Sequence, residues 1–349
     1  MEISSKVFGY TKTNEEVKIF TLKNKYLEIE ILSYGGIIKS ILAPDRFGKM
    51  ENIVLGMDNI RDYEDRSPHF GALIGRVAGR ISGGDFILDG KHYPLTKNNN
   101  IVNTLHGGKN NFSKKNWKVK EFKNLDSISL ELSLFSPHLD EGFPGNITAN
   151  VKYTLKDNSL IIEYLGTTDR PTYMNFTNHS YFNLSGNCKS TIDNHILQLN
   201  ADEFTAVDKM TLPVELRKVS DSPFDFREPK AISKALSSQD KQISIVGGGI
   251  DHGFILNQDK KEKVAFIKEP ISGRTLEVES DQNIVVIYTG NYLDKIGEIA
   301  GNVLCKKHQA ICFETQDYTD IFRFLPDKVT IYDQNKNYSQ KTIWTFGVN

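Results

Sequence analysis

Several motifs place acidic, basic or imidazole side chains where a strand meets a loop. The segment "AICFETQD" (310–317) is an apolar strand that carries Glu314 near its end. With a period of two, this carboxylate shares a face with Ala310 and Cys312. Small apolar neighbours would desolvate the carboxyl group and raise its pKa, whereas an edge position beside solvent would not. Glu314 is therefore a candidate for chemistry that depends on a carboxyl group of shifted pKa.

The segment "NFTNHSYFNL" (175–184) is unusually polar for a predicted strand. A period of two puts Phe176, Phe182 and Leu184 on one face. The polar side chains share the opposite face, and they are Asn175, Thr177, His179, Tyr181 and Asn183. The pattern predicts one face in the core and one face that lines a wet site.

Two arginines lie among glycines in "GALIGRVAGRISGG" (71–84). Glycines allow tight turns, so Arg76 and Arg80 can be presented at a loop or a strand edge. Solvated arginines in a mobile loop are the alternative, because arginine is usually exposed.

Three further side chains stand beside glycines. His106 precedes Gly107 in "NTLHGGKNNF", and Asp251 and His252 lie between glycines in "GGGIDHGF". Such positions project a side chain from a rigid element into a loop-lined cavity. A structural histidine and a turn-forming aspartate are the alternatives. No spacing among His106, His179 and His252 supports a metal site, so we expect no metal.

Strands dominate the elements that must position these side chains. Alternation is clear in "SISLELSLF" and "NITANVKYTL", and turns at Asp89-Gly90 and Asp157-Asn158 separate apolar runs. Only "AISKALSS" has a short helical pattern. We predict an all-β fold, a large antiparallel β-sandwich, with a pocket on the concave face of a broad sheet. No linker or repeat divides the chain, so one domain spanning residues 1–349 is expected.

The bulk composition excludes several kinds of partner. There are 43 Lys and Arg against 44 Asp and Glu, which gives a net charge of -1. Without a long run of one sign, no nucleic-acid or membrane surface is expected, and a small neutral partner fits better. The N-terminus has no signal-peptide pattern, which favours a cytoplasmic protein. The three cysteines, Cys188, Cys305 and Cys312, are too few and too scattered for a disulfide framework.

The common hydrolase and nucleotide-binding motifs are absent from the sequence. A different set of blocks instead resembles the aldose 1-epimerases, the galactose mutarotases, over nearly the whole chain. The blocks occur in the family's order: "LEIEILSYGGIIKSILAPDRFG", "GRVAGRISGGDFILDGKHYPL", "LHGG", "DEGFPGNITANVKYTL", "NFTNHSYFNL", "GGGIDHGF", "IYTGNYLD" and "CFETQD".

The resemblance implies a cofactor-free enzyme that interconverts the α and β anomers of free aldohexoses such as glucose and galactose. It implies that Glu314 is the base that takes the anomeric proton and that His179 is the acid that protonates the ring oxygen. By the same resemblance, Arg76, His106 and Asp251 bind the substrate. Tyr181 is a candidate aromatic wall. From reference pKa values, an ionised Glu and a protonated His coexist most readily around pH 5 to 6, and proximity would extend that window upward.

Departures from the family pattern concern the pocket rim. Relatives often carry Asn where Gly79 and Gly253 stand, and some have a polar side chain in place of Val286. The loop after Glu314, residues 317–320, also differs, so sugar preference is open. Two other functions stay open as well, a glycoside hydrolase or lyase that uses Glu314 with Asp251, and a non-catalytic sugar-binding module. A monomer and a homodimer are both compatible with the sequence.

Overall fold

The computed structural model describes residues 1–257 and 263–349. Antiparallel strands account for most of the ordered elements, numbered here in chain order. The first half contains β1 Glu2–Tyr10, β2 Glu16–Lys23, β3 Glu28–Leu32, β4 Ile38–Pro44, β5 Met50–Asn52, β6 Ala72–Ile74, β7 Arg80–Ile81, β8 Asp85–Leu88, β9 Lys91–Pro94, β10 Thr104–Leu105, β11 Lys118–Lys123, β12 Ile128–Ser136, β13 Ile147–Lys156 and β14 Ser159–Thr168.

The second half contains the strands from β15 to β28. They are β15 Thr177–His179, β16 Tyr181–Phe182, β17 Ile196–Leu199, β18 Ala201–Val207, β19 Pro213–Lys218, β20 Lys230–Ala231, β21 Asp251–Leu256, β22 Ala265–Lys268, β23 Arg274–Ser280, β24 Ile284–Tyr288, β25 Glu298–Ile299, β26 Val303–Leu304, β27 Ile311–Gln316 and β28 Tyr338–Val348. The α-helices of the described residues are short: α1 Ile60–Asp65, α2 Ser233–Leu236, α3 Lys241–Ile245 and α4 Ile321–Phe324.

Three large sheets organise these strands. The largest has the order β11-β12-β13-β14-β28-β23-β22-β17-β20, the second has the order β16-β27-β24-β21-β18-β19, and the third runs from β1 to β5. Neighbouring strands pair antiparallel, as in β13 with β14 and β24 with β27. The prediction of an all-β antiparallel fold is confirmed, and the "AISKALSS" segment does contain a short helix, α2.

The hairpins form where the sequence predicts them. Asp89-Gly90 joins β8 to β9 and Asp157-Asn158 joins β13 to β14. Asp89 and Asp157 have φ values of 51° and 50°, the left-handed conformation that tight hairpin turns require and that Asp tolerates.

A hydrophobic core is shared by all three large sheets. It combines side chains such as Leu132 and Trp344 of the nine-stranded sheet, Ile31 of the five-stranded sheet, and Phe313 and Ile287 of the six-stranded sheet. Because successive side chains of a strand point to opposite faces, the six-stranded sheet must present its other set of residues away from this core. That other face carries the candidate site.

One local prediction is wrong. The segment "NFTNHSYFNL" is not one continuous strand, since β15 pairs with β6 whereas β16 pairs with β27. Ser180 separates the two strands. The chain therefore passes from a two-stranded sheet to the six-stranded sheet within a few residues, and His179 lies at the point of passage.

Candidate active site

A cavity of about 230 Å³ lies on the face of the six-stranded sheet that points away from the core. This size suits a small organic ligand. Its walls are formed by Pro68, His69, Gly79, Arg80, Leu105, His106, His179, Tyr181, Thr205, Val207, Thr211, Pro213, Asp251, Gly253, Val286, Tyr288, Tyr292, Glu314, Gln316 and Thr319.

Strand register explains why these residues meet. Glu314 of β27 is opposite Val286 of β24, and Val286 is opposite Gly253 of β21. Cys312 and Asp251 each pair with Tyr288, in the neighbouring row. Residues in one row of a sheet, and residues two positions along each strand from that row, point to the same face. Glu314 and Asp251 lie in two such rows, so carboxylates that are 63 positions apart in the sequence face one cavity.

Glu314 and His179 form the closest ionisable pair in the cavity. His179 Nε2 lies 3.3 Å from Glu314 Oε1. The two residues are 5% and 3% exposed. The ring of His179 stacks on Tyr181 with centroids 4.9 Å apart, and its Nδ1 lies 3.5 Å from Cys312 Sγ. These contacts hold the imidazole edge against the carboxyl group.

Burial decides the protonation of this pair. Desolvation, with a smaller contribution from the neighbouring His69, lowers the pKa of His179 to about 3. Desolvation raises the pKa of Glu314 to about 8; the nearby Asp251 also raises it, while Arg80 opposes the shift. At neutral pH the pair therefore shares one proton, which resides on the carboxyl group. The expectation of an ionised Glu beside a protonated His is wrong for the free protein, because loss of hydration outweighs proximity.

His106 is held by a reciprocal pair of hydrogen bonds to Gly79. The His106 N–H donates to the Gly79 carbonyl at 2.9 Å, and the Gly79 N–H donates to His106 Nδ1 at 3.3 Å. Burial, together with His69, His179 and Arg80, keeps the pKa of His106 well below its usual value. A neutral imidazole that accepts at Nδ1 carries its proton at Nε2. His106 thus presents a hydrogen-bond donor to the cavity.

A third imidazole, His69, completes the histidine cluster. Its ring centroid lies 5.1 Å from that of His106 and 6.0 Å from that of His179. Burial lowers its pKa to about 4, and Nδ1 bonds with the Ser113 hydroxyl at 3.0 Å. Sequence reasoning missed His69. The "SPHFG" segment shows only a His after a Pro, which is a weak signal.

Asp251 supplies a second carboxyl group to the cavity. Burial raises its pKa, and Arg80 acts against that shift. The adjacent His252 faces elsewhere: its Nδ1 accepts from the Asp251 N–H at 3.1 Å, and its Nε2 is 3.1 Å from Gln242 Oε1. His252 therefore fixes the start of β21 and leaves Asp251 to face the cavity.

The structure does not bring Arg76 to the cavity. Its guanidinium donates to the Ser136 hydroxyl at 3.0 Å, to the Ser136 carbonyl at 2.8 Å and to the Pro144 carbonyl at 2.8 Å, and the residue is 2% exposed. With its donors used in this way, Arg76 is a structural residue and its expected contact with substrate is wrong. Arg80, four residues later, lines the cavity in its place. Each arginine directly follows a glycine, so the sequence spacing alone did not show which arginine faces the cavity.

The other polar side chains of "NFTNHSYFNL" tie strands together. Asn175 Oδ1 accepts from the Asp317 N–H at 2.9 Å, and its Nδ2 donates to the Asp317 carbonyl at 3.2 Å. Thr177 donates to the Thr315 carbonyl, and Asn183 donates to the Gln309 carbonyl. These residues are buried, so the wet face predicted for the segment is limited to His179 and Tyr181.

Most positions that depart from the family pattern line the cavity. Gly79, Gly253 and Val286 are wall residues, and none of them provides a polar side chain. Thr319, in the altered loop after Glu314, is also a wall residue. A side chain starting at Gly79 would lie 2.9 Å from Thr319 Oγ1, so the loop occupies the space that such a side chain would need.

One cluster has the donor types of a metal site. His106, His179 and Glu314 each offer an atom within 4.8 Å of the others. The cluster suits proton transfer better than metal binding, because His106 Nδ1 is engaged by Gly79, its Nε2 carries a proton, and the pKa of Glu314 is about 8. The expectation that no metal is needed stays a prediction.

The fold and the site together define a class of protein, the aldose 1-epimerases. A model of the aldose 1-epimerase family matches residues 18–345, and the chain belongs to this family. The curated relatives include galactose mutarotase of Bos taurus, 36% identical over 334 residues that cover 95% of this chain and 94% of the relative. Aldose 1-epimerase of Escherichia coli K12 is 34% identical over 281 residues, which is 79% of each chain.

Solved structures agree with this placement. The galactose 1-epimerase of Lactobacillus acidophilus superimposes with a TM-score of 0.87 at 26% identity and covers 100% of this chain and 99% of its own. A mutarotase homologue from C. elegans gives a TM-score of 0.85 at 28% identity, with 95% and 98% covered. In the described part of the chain, none of the helices has the length and hydrophobicity needed to cross a membrane.

Proposed function

We propose that the protein is an aldose 1-epimerase that interconverts the α and β anomers of free aldohexoses such as glucose and galactose. The observation that carries the proposal is the 3.3 Å contact between His179 Nε2 and Glu314 Oε1 inside a cavity that also holds His106 and Asp251. Ring opening needs one group to take the anomeric proton and another to protonate the ring oxygen. A pair that shares one proton meets both needs.

The proton moves through the pair as follows. A bound sugar brings hydroxyl groups to Glu314 and, with the charge of Arg80, stabilises the carboxylate, so the shared proton passes to His179. Glu314 then takes the proton of the anomeric hydroxyl while His179 gives its proton to the ring oxygen, and the C1–O5 bond breaks. The carbonyl rotates, and closure on its other face reverses both transfers with no net change in protons.

The resting state of the pair matches the open-chain stage of this cycle. After ring opening Glu314 is protonated and His179 is neutral, which is the distribution that burial favours in the free protein. The cavity is therefore preorganised for closure of the aldehyde, the step in which either anomer can form. His106 Nε2–H can donate to the ring oxygen or to a neighbouring hydroxyl, and Asp251 and Arg80 are the proposed partners of other hydroxyls.

Other parts of the chain are consistent with this role. The His179–Glu314 pair supplies acid-base chemistry from its own side chains, so we propose that the reaction needs no cofactor or metal. The proposed partner is a monosaccharide and not a nucleic acid. Within the described residues Cys188, Cys305 and Cys312 are free thiols, which suits the reducing cytoplasm. We further propose one domain over residues 1–349 and a monomer or homodimer in solution.

Polarimetry of freshly dissolved α-D-glucose and α-D-galactose tests the proposal. The protein should accelerate the approach to anomeric equilibrium, and Glu314→Gln and His179→Gln should each lose about 10²- to 10⁴-fold in rate, the usual contribution of acid-base catalysis. His92→Gln changes an exposed histidine outside the cavity and serves as the matched control. No acceleration with any aldose would refute the proposal. Release of the aryl group from aryl glycosides would instead indicate a hydrolase that uses Glu314 with Asp251.

A further inference from the structure

Gln316 has a side-chain oxygen with no partner. It is the last residue of β27, it is completely buried, and it lines the cavity. Its Nε2 donates to the Asp317 carbonyl at 3.2 Å, which orients the amide. Among the described residues, its Oε1 has no hydrogen-bond donor. The acceptor is thus unsatisfied in a residue of the cavity wall.

An unpaired buried carbonyl is uncommon and unfavourable. Most buried polar atoms in native proteins have at least one partner. Leaving one without a partner costs about 1–3 kcal/mol. A ligand hydroxyl that enters the cavity and donates to Oε1 would remove this cost.

Position 79 borders the amide of Gln316. Gly79 has a φ of 75°, and a Cβ built there would lie 2.9 Å from Thr319 Oγ1 and 3.4 Å from Gln316 Nε2. A side chain at this position would meet both residues. Glycine adopts this φ without strain and leaves Thr319 and the Gln316 amide in place.

The cavity wall also carries an unpaired hydrogen-bond donor in the described part of the chain. Arg80 follows Gly79 directly, lines the same cavity and has a buried Nε that lacks a partner within residues 1–257 and 263–349. A sugar hydroxyl is both donor and acceptor. One hydroxyl can therefore donate to Gln316 Oε1 while it or its vicinal neighbour accepts from Arg80.

Strand geometry indicates which hydroxyl this is. Gln316 and Glu314 are two residues apart on one face of β27, a separation of about 7 Å along the strand. If Glu314 contacts the anomeric hydroxyl, Gln316 lies near the opposite side of the pyranose ring. The hydroxyls available there are those on C3 and C4.

We propose that Gln316 is a substrate-positioning residue that accepts a hydrogen bond from the C3 or C4 hydroxyl of the aldose. This inference rests on the proposed function, because it takes Glu314 to be at the anomeric centre. This hydrogen bond makes the enzyme selective for aldoses that carry a hydroxyl at that position over the corresponding deoxy sugars.

The test combines a variant with a series of substrates. Gln316→Met retains the length of the side chain and removes the acceptor. With glucose, kcat/KM of the variant should fall by about 10-fold or more, mainly through KM, as expected for one lost hydrogen bond to a buried acceptor. The wild type should show a similar loss with either 3-deoxyglucose or 4-deoxyglucose. The variant should show no further loss with that same deoxy sugar.

Two results would overturn the inference. One is an unchanged KM for glucose in Gln316→Met. The other is a variant that keeps the full penalty for every deoxy sugar, which indicates a purely structural role. Gln198→Met makes the same change at a half-buried glutamine outside the cavity and should retain the discrimination of the wild type. Calorimetry measures the affinity for the same sugars without turnover. It therefore tests the role of Gln316 in binding even if the protein does not interconvert the anomers.

Discussion

His179 Nε2 and Glu314 Oε1 are 3.3 Å apart in a site where both residues are at least nine-tenths buried. In water an imidazole and a carboxyl group at this distance would form an ion pair. Here the pKa of His179 is lowered to about 3 and that of Glu314 is raised to about 8, because burial penalises both charged forms. The pair shares one proton over the whole range between those values, and this sets the pH behaviour of the protein.

Catalysis should persist well above the window that reference pKa values suggest. We expect kcat/KM for glucose to be level between about pH 5 and pH 7.5 and to fall above about pH 8, where the pair loses its only proton and no acid remains. Polarimetry at a series of pH values, corrected for the spontaneous reaction, measures this profile. A maximum at pH 5 to 6 with a decline by pH 7 would contradict the assignment.

Stability should respond to the same carboxyl group. The pKa of Glu314 is higher in the folded protein, so the folded state holds a proton that the unfolded state has lost between about pH 4.5 and pH 8. The stabilisation is complete below about pH 4.5 and is lost as the pH rises through 8.

Comparison with Glu314→Gln isolates this effect, since the amide does not titrate. The free energy of unfolding of the variant, relative to wild type, should rise by a few kcal/mol from pH 4.5 to pH 8, because each pKa unit corresponds to about 1.4 kcal/mol. Urea unfolding at both pH values measures the difference. A constant difference would mean that the carboxyl group ionises normally.

The two arginines of "GRVAGR" should give opposite phenotypes. Arg76→Met removes a buried guanidinium and leaves the Ser136 and Pro144 acceptors without their donor, so the free energy of unfolding should fall by roughly 3 kcal/mol or more. Arg80→Met should unfold near the wild-type temperature and raise KM. Because Arg80 opposes the raised pKa of Glu314, its removal should also move the alkaline decline in kcat/KM to higher pH. Equal losses of stability would contradict this division.

The loop after Glu314 should depend on Asn175. Asn175 is completely buried, and both polar groups of its side chain bond the backbone of Asp317. Asn175→Ala therefore leaves the Asp317 N–H unpaired and removes one of the two donors to the Asp317 carbonyl, the other being Gln316 Nε2. We expect a loss of about 1–3 kcal/mol in the free energy of unfolding and a lower kcat/KM. Asn283→Ala is the matched comparison. The Asn283 side chain donates to the carboxylate of Asp317 and is partly exposed, so its loss should cost less. Thermal unfolding of both variants measures the two losses of stability, and equal losses would contradict this prediction.

Patterns of period two in the sequence predicted much of the fold. Alternation in β12 and β13 and the Asp turns at 89 and 157 fix the type of sheet, because each depends on residues next to each other in the chain. Glu314 was identified for a local reason as well, since small apolar neighbours on its own strand predict a desolvated carboxyl group.

Tertiary structure decided which polar residues share the cavity. Arg76 and Arg80 have similar local sequences, and only the packing of Arg76 against the Ser136 and Pro144 loops separates a structural arginine from one at the wall. His69 enters the site through ring contacts with His106 and His179, which no spacing in the sequence encodes. The protonation state of the His179–Glu314 pair could likewise not be predicted from the sequence. It depends on burial by strands that are distant in sequence, and desolvation there is stronger than the attraction between two adjacent charges.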